Sequence, residues 1–112
     1  MEGSIIKMAE ENIKLWTANA ILDALQANAK HLRELSVSRI GLFGSYCRNA
    51  AGPKSDIDFL VVLDRLTFDN YMDVRFFLED LFGCTVDLVL EDNLKPHLRP
   101  FIMEEAVYAQ GL

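Results

Sequence analysis

Val37-Ser-Arg-Ile-Gly-Leu-Phe43 is an apolar, β-branched run that stops at Gly44-Ser45. After ten intervening residues, Asp56-Ile57-Asp58 leads into a second apolar run, Phe59-Leu-Val-Val-Leu63. The first run predicts a buried strand ending in a tight turn, the second a buried strand that begins with two acids. Strand alternation puts Asp56 and Asp58 on one face. Gly44 lacks a Cβ, so its backbone can approach a ligand and adopt positive φ. The N–H groups that follow, with the Ser45 hydroxyl, form a seat for an anion such as a phosphate. Thr85-Val-Asp-Leu-Val-Leu90 is a third apolar strand with one acid, Asp87, which joins the pair if the strands are neighbours. A Gly-Ser pair alone is ordinarily a turn, and an Asp-x-Asp alone is ordinarily a solvated strand start. Their combination with a third acid is what points to a site.

Two like charges about 4 Å apart repel by roughly 4 kcal/mol at an effective dielectric constant of ~20, so three converging carboxylates need a proton, a basic partner or a metal. Mg²⁺ meets that need best, because it takes carboxylate oxygens together with the phosphates of a nucleotide. The residues therefore read as a metal-dependent nucleotide site.

With those residues in view, Gly-Leu-Phe-Gly-Ser-Tyr-Cys-Arg (41–48) and Lys-Ser-Asp-Ile-Asp-Phe-Leu-Val (54–61) resemble the motif of the DNA polymerase β-like nucleotidyltransferases. Within that superfamily the chain resembles the minimal, MntA-type antitoxins, encoded beside a HEPN-domain ribonuclease toxin. The resemblance runs from about Leu22 to Tyr108. It implies an α/β (α+β) nucleotidyltransferase fold, a small mixed β-sheet flanked by helices. It also implies Mg²⁺-dependent transfer of AMP from ATP to a hydroxyl, a tyrosine's, of the partner toxin in a type VII toxin–antitoxin system.

Carried over residue by residue, Gly44 and Ser45 match the phosphate-binding pair. Asp56 and Asp58 match the metal ligands, and Asp87 matches the third acid, which helps activate the attacking hydroxyl and shares a second Mg²⁺. Arg48 matches the family's arginine, placed to reach a nucleotide phosphate or to brace the acids. Ser55 precedes the acids and supports their loop on the nucleotide side. Where the family often has Gly-Glu-Ala, this chain has Asn49-Ala50-Ala51; Asn tolerates positive φ, so the turn can survive, but the acid is gone.

Composition narrows the partners. Eleven basic against seventeen acidic residues give a net charge of −6, and the Lys and Arg are scattered, which argues against a nucleic-acid substrate. With no apolar run of membrane-spanning length and no secretory leader pattern, the expectation is a soluble, cytoplasmic protein whose Cys47 and Cys84 are thiols. Once the nucleotide core is assigned, little chain remains to grip an acceptor. That favours a partner protein in a heteromeric complex over a drug or RNA.

Helical spacing of Ile21, Leu22, Leu25, Ala29 and Leu32 predicts a helix over 18–35 with Thr17 as N-cap. Thr67 caps a second helix with a stripe of Tyr71, Val74, Leu78 and Leu81, ended by Gly83. A last helix is expected over roughly 100–109, with Phe101, Ile102, Ala106 and Val107 apolar and Glu104 and Glu105 on a solvated face. Residues 1–16 read as an apolar N-terminal extension able to form a short helix, and 17–112 as the nucleotidyltransferase domain. His31 and His97 have no metal-ligand spacing. Two other functions stay open: a non-catalytic binding subunit with the same fold, and nucleotidylation of a small molecule such as an aminoglycoside. The residues alone do not fix the nucleotide base.

Overall fold

The computed structural model describes residues 16–52 and 55–112. Of the extension read at 1–16, all but Trp16 lies outside the described residues. Trp16 packs edge-on against Phe82 with ring centroids 4.9 Å apart, and its Nε1–H donates to the Phe82 carbonyl at 2.8 Å.

In chain order the elements are α1 (Ala18–Ala27), α2 (Ala29–Glu34), β1 (Val37–Phe43), the one-turn α3 (Gly44–Cys47), β2 (Ile57–Leu63), α4 (Phe68–Phe82), β3 (Val86–Leu90), a 3₁₀ turn (Glu91–Asn93), α5 (Arg99–Glu105) and β4 (Val107–Tyr108). The sheet is mixed, in the order β3-β2-β1-β4: β1 runs antiparallel to β2 and β4, and β2 runs parallel to β3 through the α4 crossover. This is the expected small mixed sheet flanked by helices.

The expected caps are in place. The Thr17 and Thr67 hydroxyls accept from the N–H groups of Ala20 and Asn70, and Gly83 ends α4 in the left-handed conformation with φ 67°. Ile21, Leu25, Ala29 and Leu32 are buried as their spacing predicts. On α4 the buried stripe is Val74, Leu78 and Phe82, with Tyr71 and Leu81 half-buried at its margins. These helices cover the sheet face that carries Ile40, Leu42, Ile57, Phe59, Val61, Val86 and Leu88.

Two expectations change. The helix over 18–35 is interrupted at Asn28, whose side-chain amide donates to the Ala24 carbonyl at 2.8 Å and competes for the helical ladder. Backbone bonds from Asn28 to Ala24 and from Leu32 to Asn28 still bridge the interruption.

The final helix stops at Glu105 rather than near Ala109. Ala106 is extended, and Val107 and Tyr108 pair with Leu42 and Gly41 as β4. The open edge of β1 supplies hydrogen bonds that a further helical turn would forgo, and a β-branched and an aromatic residue suit that edge. α5 buries no residue, and Phe101, placed on its expected apolar face, is 72% exposed.

Glu91, only 6% exposed, holds this end of the chain to the sheet. One carboxylate oxygen accepts from Arg39 at 2.8 Å, its carbonyl accepts from Arg99 at 2.9 Å, and Arg39 in turn lies 4.1 Å over the Tyr108 ring. No helix among the described residues is long and apolar enough to cross a membrane.

Gly41 is where β4 presses closest on β1: a Cβ there would lie 2.9 Å from Cδ1 of Tyr108. Gly41→Val should push Tyr108 off its strand and cost about 1–3 kcal/mol in urea unfolding. An unchanged midpoint would show that β4 adds nothing to the fold.

Candidate active site

Strand register builds the site. Phe43, the last residue of β1, faces Asp58 on β2, and Asp58 faces Asp87 on β3. Gly44 therefore begins its turn directly beside the Asp58 carboxylate. It has φ 78°, and a Cβ at this position would overlap Oδ2 of Asp58. Only glycine satisfies both demands, the positive φ and the close approach.

Asp56 lies just before β2 and is exposed, while Asp58 and Asp87 sit side by side within the sheet on the face away from Ile57, Phe59 and Val86. Burial, the charges of Asp87 and Asp56, and a side-chain hydrogen bond with Asp87 together push Asp58 up to about 6, with Arg48 pulling weakly the other way. The three acids thus feel one another. They do not close into a metal shell, however: among the described residues no three His, Cys, Asp or Glu side chains gather closely enough to hold an ion. The closely facing pair is Asp58 and Asp87, with Asp56 at the rim.

The donor set nonetheless suits a hard cation. It consists of carboxylates alone, and they are short of positive charge, because the nearby Arg48 is paired to Glu105 rather than to them.

The turn after Gly44 is shaped by backbone bonds. Ala50 N–H donates to the Ser45 carbonyl at 2.8 Å, and Asn49 takes φ 55°, the left-handed conformation expected of it in place of the family's usual glycine. Ser55 serves the loop before the acids: its hydroxyl accepts from the Gly52 N–H at 2.9 Å. Cys47 is a thiol, half-buried, with its acidity lowered by burial and by the charge of Glu105.

Glu105 was expected on a solvated helix face. Instead its carboxylate spans the turn, with Oε2 accepting from the Gly44 N–H at 3.2 Å and Oε1 paired with Arg48. The available signal was Val107-Tyr108. Once those two residues pair with Leu42 and Gly41, the acid two residues earlier lands at the end of β1. A groove of about 460 Å³ lined by Leu66, Phe68, Tyr71 and Leu88–Leu90 contains no carboxylate and is separate from this chemistry.

The description "Nucleotidyltransferase domain" fits residues 23–109. The chain is 37% identical over 94 residues to the protein adenylyltransferase MntA of Thermococcus cleftensis, spanning 82% of this chain and 95% of that protein. A solved structure assigned provisionally as a minimal nucleotidyltransferase superposes with a TM-score of 0.71 at 29% identity, over 82% of this chain and 95% of the other. Two further structures share the fold. A toxin–antitoxin with AMP-PNP gives a TM-score of 0.64 at 23% identity, over 81% of this chain and 73% of that one. A tri-AMPylated Shewanella oneidensis HEPN toxin in complex with its MNT antitoxin gives 0.58 at 22%, over 82% and 73%. With the Gly-Ser turn set against acids on two adjacent strands, the chain belongs to the nucleotidyltransferases, as a minimal member of the MntA protein adenylyltransferase type.

Proposed function

We propose that the protein transfers AMP from ATP to a hydroxyl, a tyrosine's, of a partner HEPN-domain toxin in the cytoplasm, and so acts as its antitoxin. The observation that carries this reading is the contact of Gly44 with Asp58, itself in register with Asp87: a turn suited to an anion abuts acids suited to the cation that would accompany it. The identity to an MntA adenylyltransferase supports protein as the acceptor, as does the tri-AMPylated toxin found with a structural neighbour. The neighbour with AMP-PNP supports an adenine nucleotide as donor.

In this reading Gly44 N–H, Ser45 and Arg48 bind and orient the triphosphate, while Ser55 holds the loop that presents Asp56. Asp56, Asp58 and Asp87 would hold Mg²⁺. Bound there, the ions would neutralise charge on the phosphates and lower the pKa of the acceptor hydroxyl. We assign Asp87, in register with Asp58, to take up the proton that this hydroxyl gives up. The hydroxyl oxygen attacks the α-phosphorus, the bond to the β-phosphate oxygen breaks, and pyrophosphate leaves. No side-chain nucleophile is needed, because positioning and charge neutralisation carry most phosphoryl transfer.

The test is transfer of label from α-labelled ATP with Mg²⁺ to proteins of the source cell. One labelled band is expected, weakened at least ~100-fold by Asp56→Asn or Asp58→Asn. Label that persists with both changes would sink the reading. Gly44→Ala, which would drive a methyl group into Asp58, should abolish labelling equally while the chain stays folded by circular dichroism.

Asp58 also predicts a pH signature in metal-free protein. Its folded-state value, about 6, lies above the ordinary 3.8, so the fold carries a penalty in full above pH ~6 and sheds it as the pH falls toward 4. Asp58→Asn should therefore be more stable than wild type by about 1–2 kcal/mol at pH 7.5, after discounting for partial exposure. The gap should close near pH 4, and equal stability at both pH values in EDTA would contradict the assignment.

A further inference from the structure

Glu105 occupies the groups that the proposed function assigns to the triphosphate. Its two carboxylate oxygens are divided between the Gly44 N–H and the Arg48 guanidinium, and the Cys47 thiol donates to its backbone carbonyl at 3.5 Å. Resting on that functional reading, we infer that Glu105 is an internal stand-in for a nucleotide phosphate, holding the anion seat until the triphosphate displaces it.

Three observations favour this over a purely structural contact. First, α5 buries no residue, so the ion pair does not secure a core. Second, the helix is tied down elsewhere, by Arg99 to the Glu91 carbonyl before it and by β4 pairing after it. The side chain can therefore swing away without undoing the fold. Third, Gly44 already adjoins the Asp58 carboxylate. Another carboxylate is repelled from such a place unless the turn's donors attract an anion strongly enough to overcome the repulsion. The donors that hold Glu105 are of the kind that hold a phosphate oxygen.

Displacement makes the two anions competitors. Removing the Glu105 charge should free both donors and lower the dissociation constant for Mg-ATP about tenfold, the scale of one partly exposed charge-assisted bond. Glu104→Gln, on the exposed neighbour, makes the same charge change and should leave binding as it is.

The experiment is calorimetric titration of wild type, Glu105→Gln and Glu104→Gln with Mg-ATP, with thermal melts to establish folding. It is accompanied by carboxyl ¹³C spectra of the wild type during the same titration. Expected are tighter binding for Glu105→Gln alone, and a Glu105 ¹³Cδ resonance that moves in step with the Gly44 amide. If wild type binds and a folded Glu105→Gln binds no better or worse, the inference is overturned and Glu105 is a positioning residue for Arg48. A Glu105 resonance that stays fixed while Gly44 shifts overturns it too, whether or not the variant folds. If no form binds Mg-ATP, the nucleotide seat itself is wrong, and the inference falls with it.

Discussion

The arrangement rests on the register across three strands, which sets Phe43 against Asp58 and Asp58 against Asp87. A one-residue slip of β2 would turn Asp58 into the core and put Ile57 or Phe59 on the open face, since strand side chains alternate. The fully buried Ile57, Phe59 and Val61 prevent that slip by anchoring one face of β2 under the helices. Hydrophobic burial thus fixes where the acids stand, although none of the acids contributes to it.

That placement has an electrostatic cost. Asp58 is pressed between burial and two neighbouring acids without a dedicated cation, and its carboxyl is accordingly hard to ionise. Strain of this kind, uncompensated within the chain, is what a site looks like when it is completed by something that arrives from outside. Arg48 relieves it only weakly, because its guanidinium is paired with Glu105 and so serves the anion seat instead. The site separates into an anion-seeking turn and a cation-seeking carboxylate pair, joined at the contact between Gly44 and Asp58.

The C-terminal segment ties these halves to the rest of the sheet. Glu91 grips Arg39 and, through its carbonyl, Arg99, and Arg39 lies over Tyr108; this fixes both ends of α5. An ion pair between a buried carboxylate and a half-exposed guanidinium adds little net stability but defines geometry, and here it helps define where Glu105 falls. Sequence patterning gave Glu91 no distinction, since an acid at the end of an apolar strand usually reads as solvated.

Much of the fold is legible in the sequence. Thr17, Thr67 and Gly83 act where local chemistry says they should, because caps depend on neighbours in sequence. The apolar runs of β1, β2 and β3 declared themselves by composition, and Asn49 in place of glycine kept its positive φ. The candidate acids and the Gly-Ser turn were legible because they lie within short motifs. Three things were not. Asn28 interrupts a helix through a side-chain bond that competes with the backbone. Val107 and Tyr108 leave a helical pattern because β1, far earlier in the chain, offers them an edge at Leu42 and Gly41. The acids approach without closing into one shell, and Glu105 reaches the turn, only once the strands are laid side by side. Local patterns determine which elements form and which residues carry the chemistry. Pairing between distant segments decides which of those residues meet, because a hydrogen-bond edge and a shared face exist only in the assembled sheet.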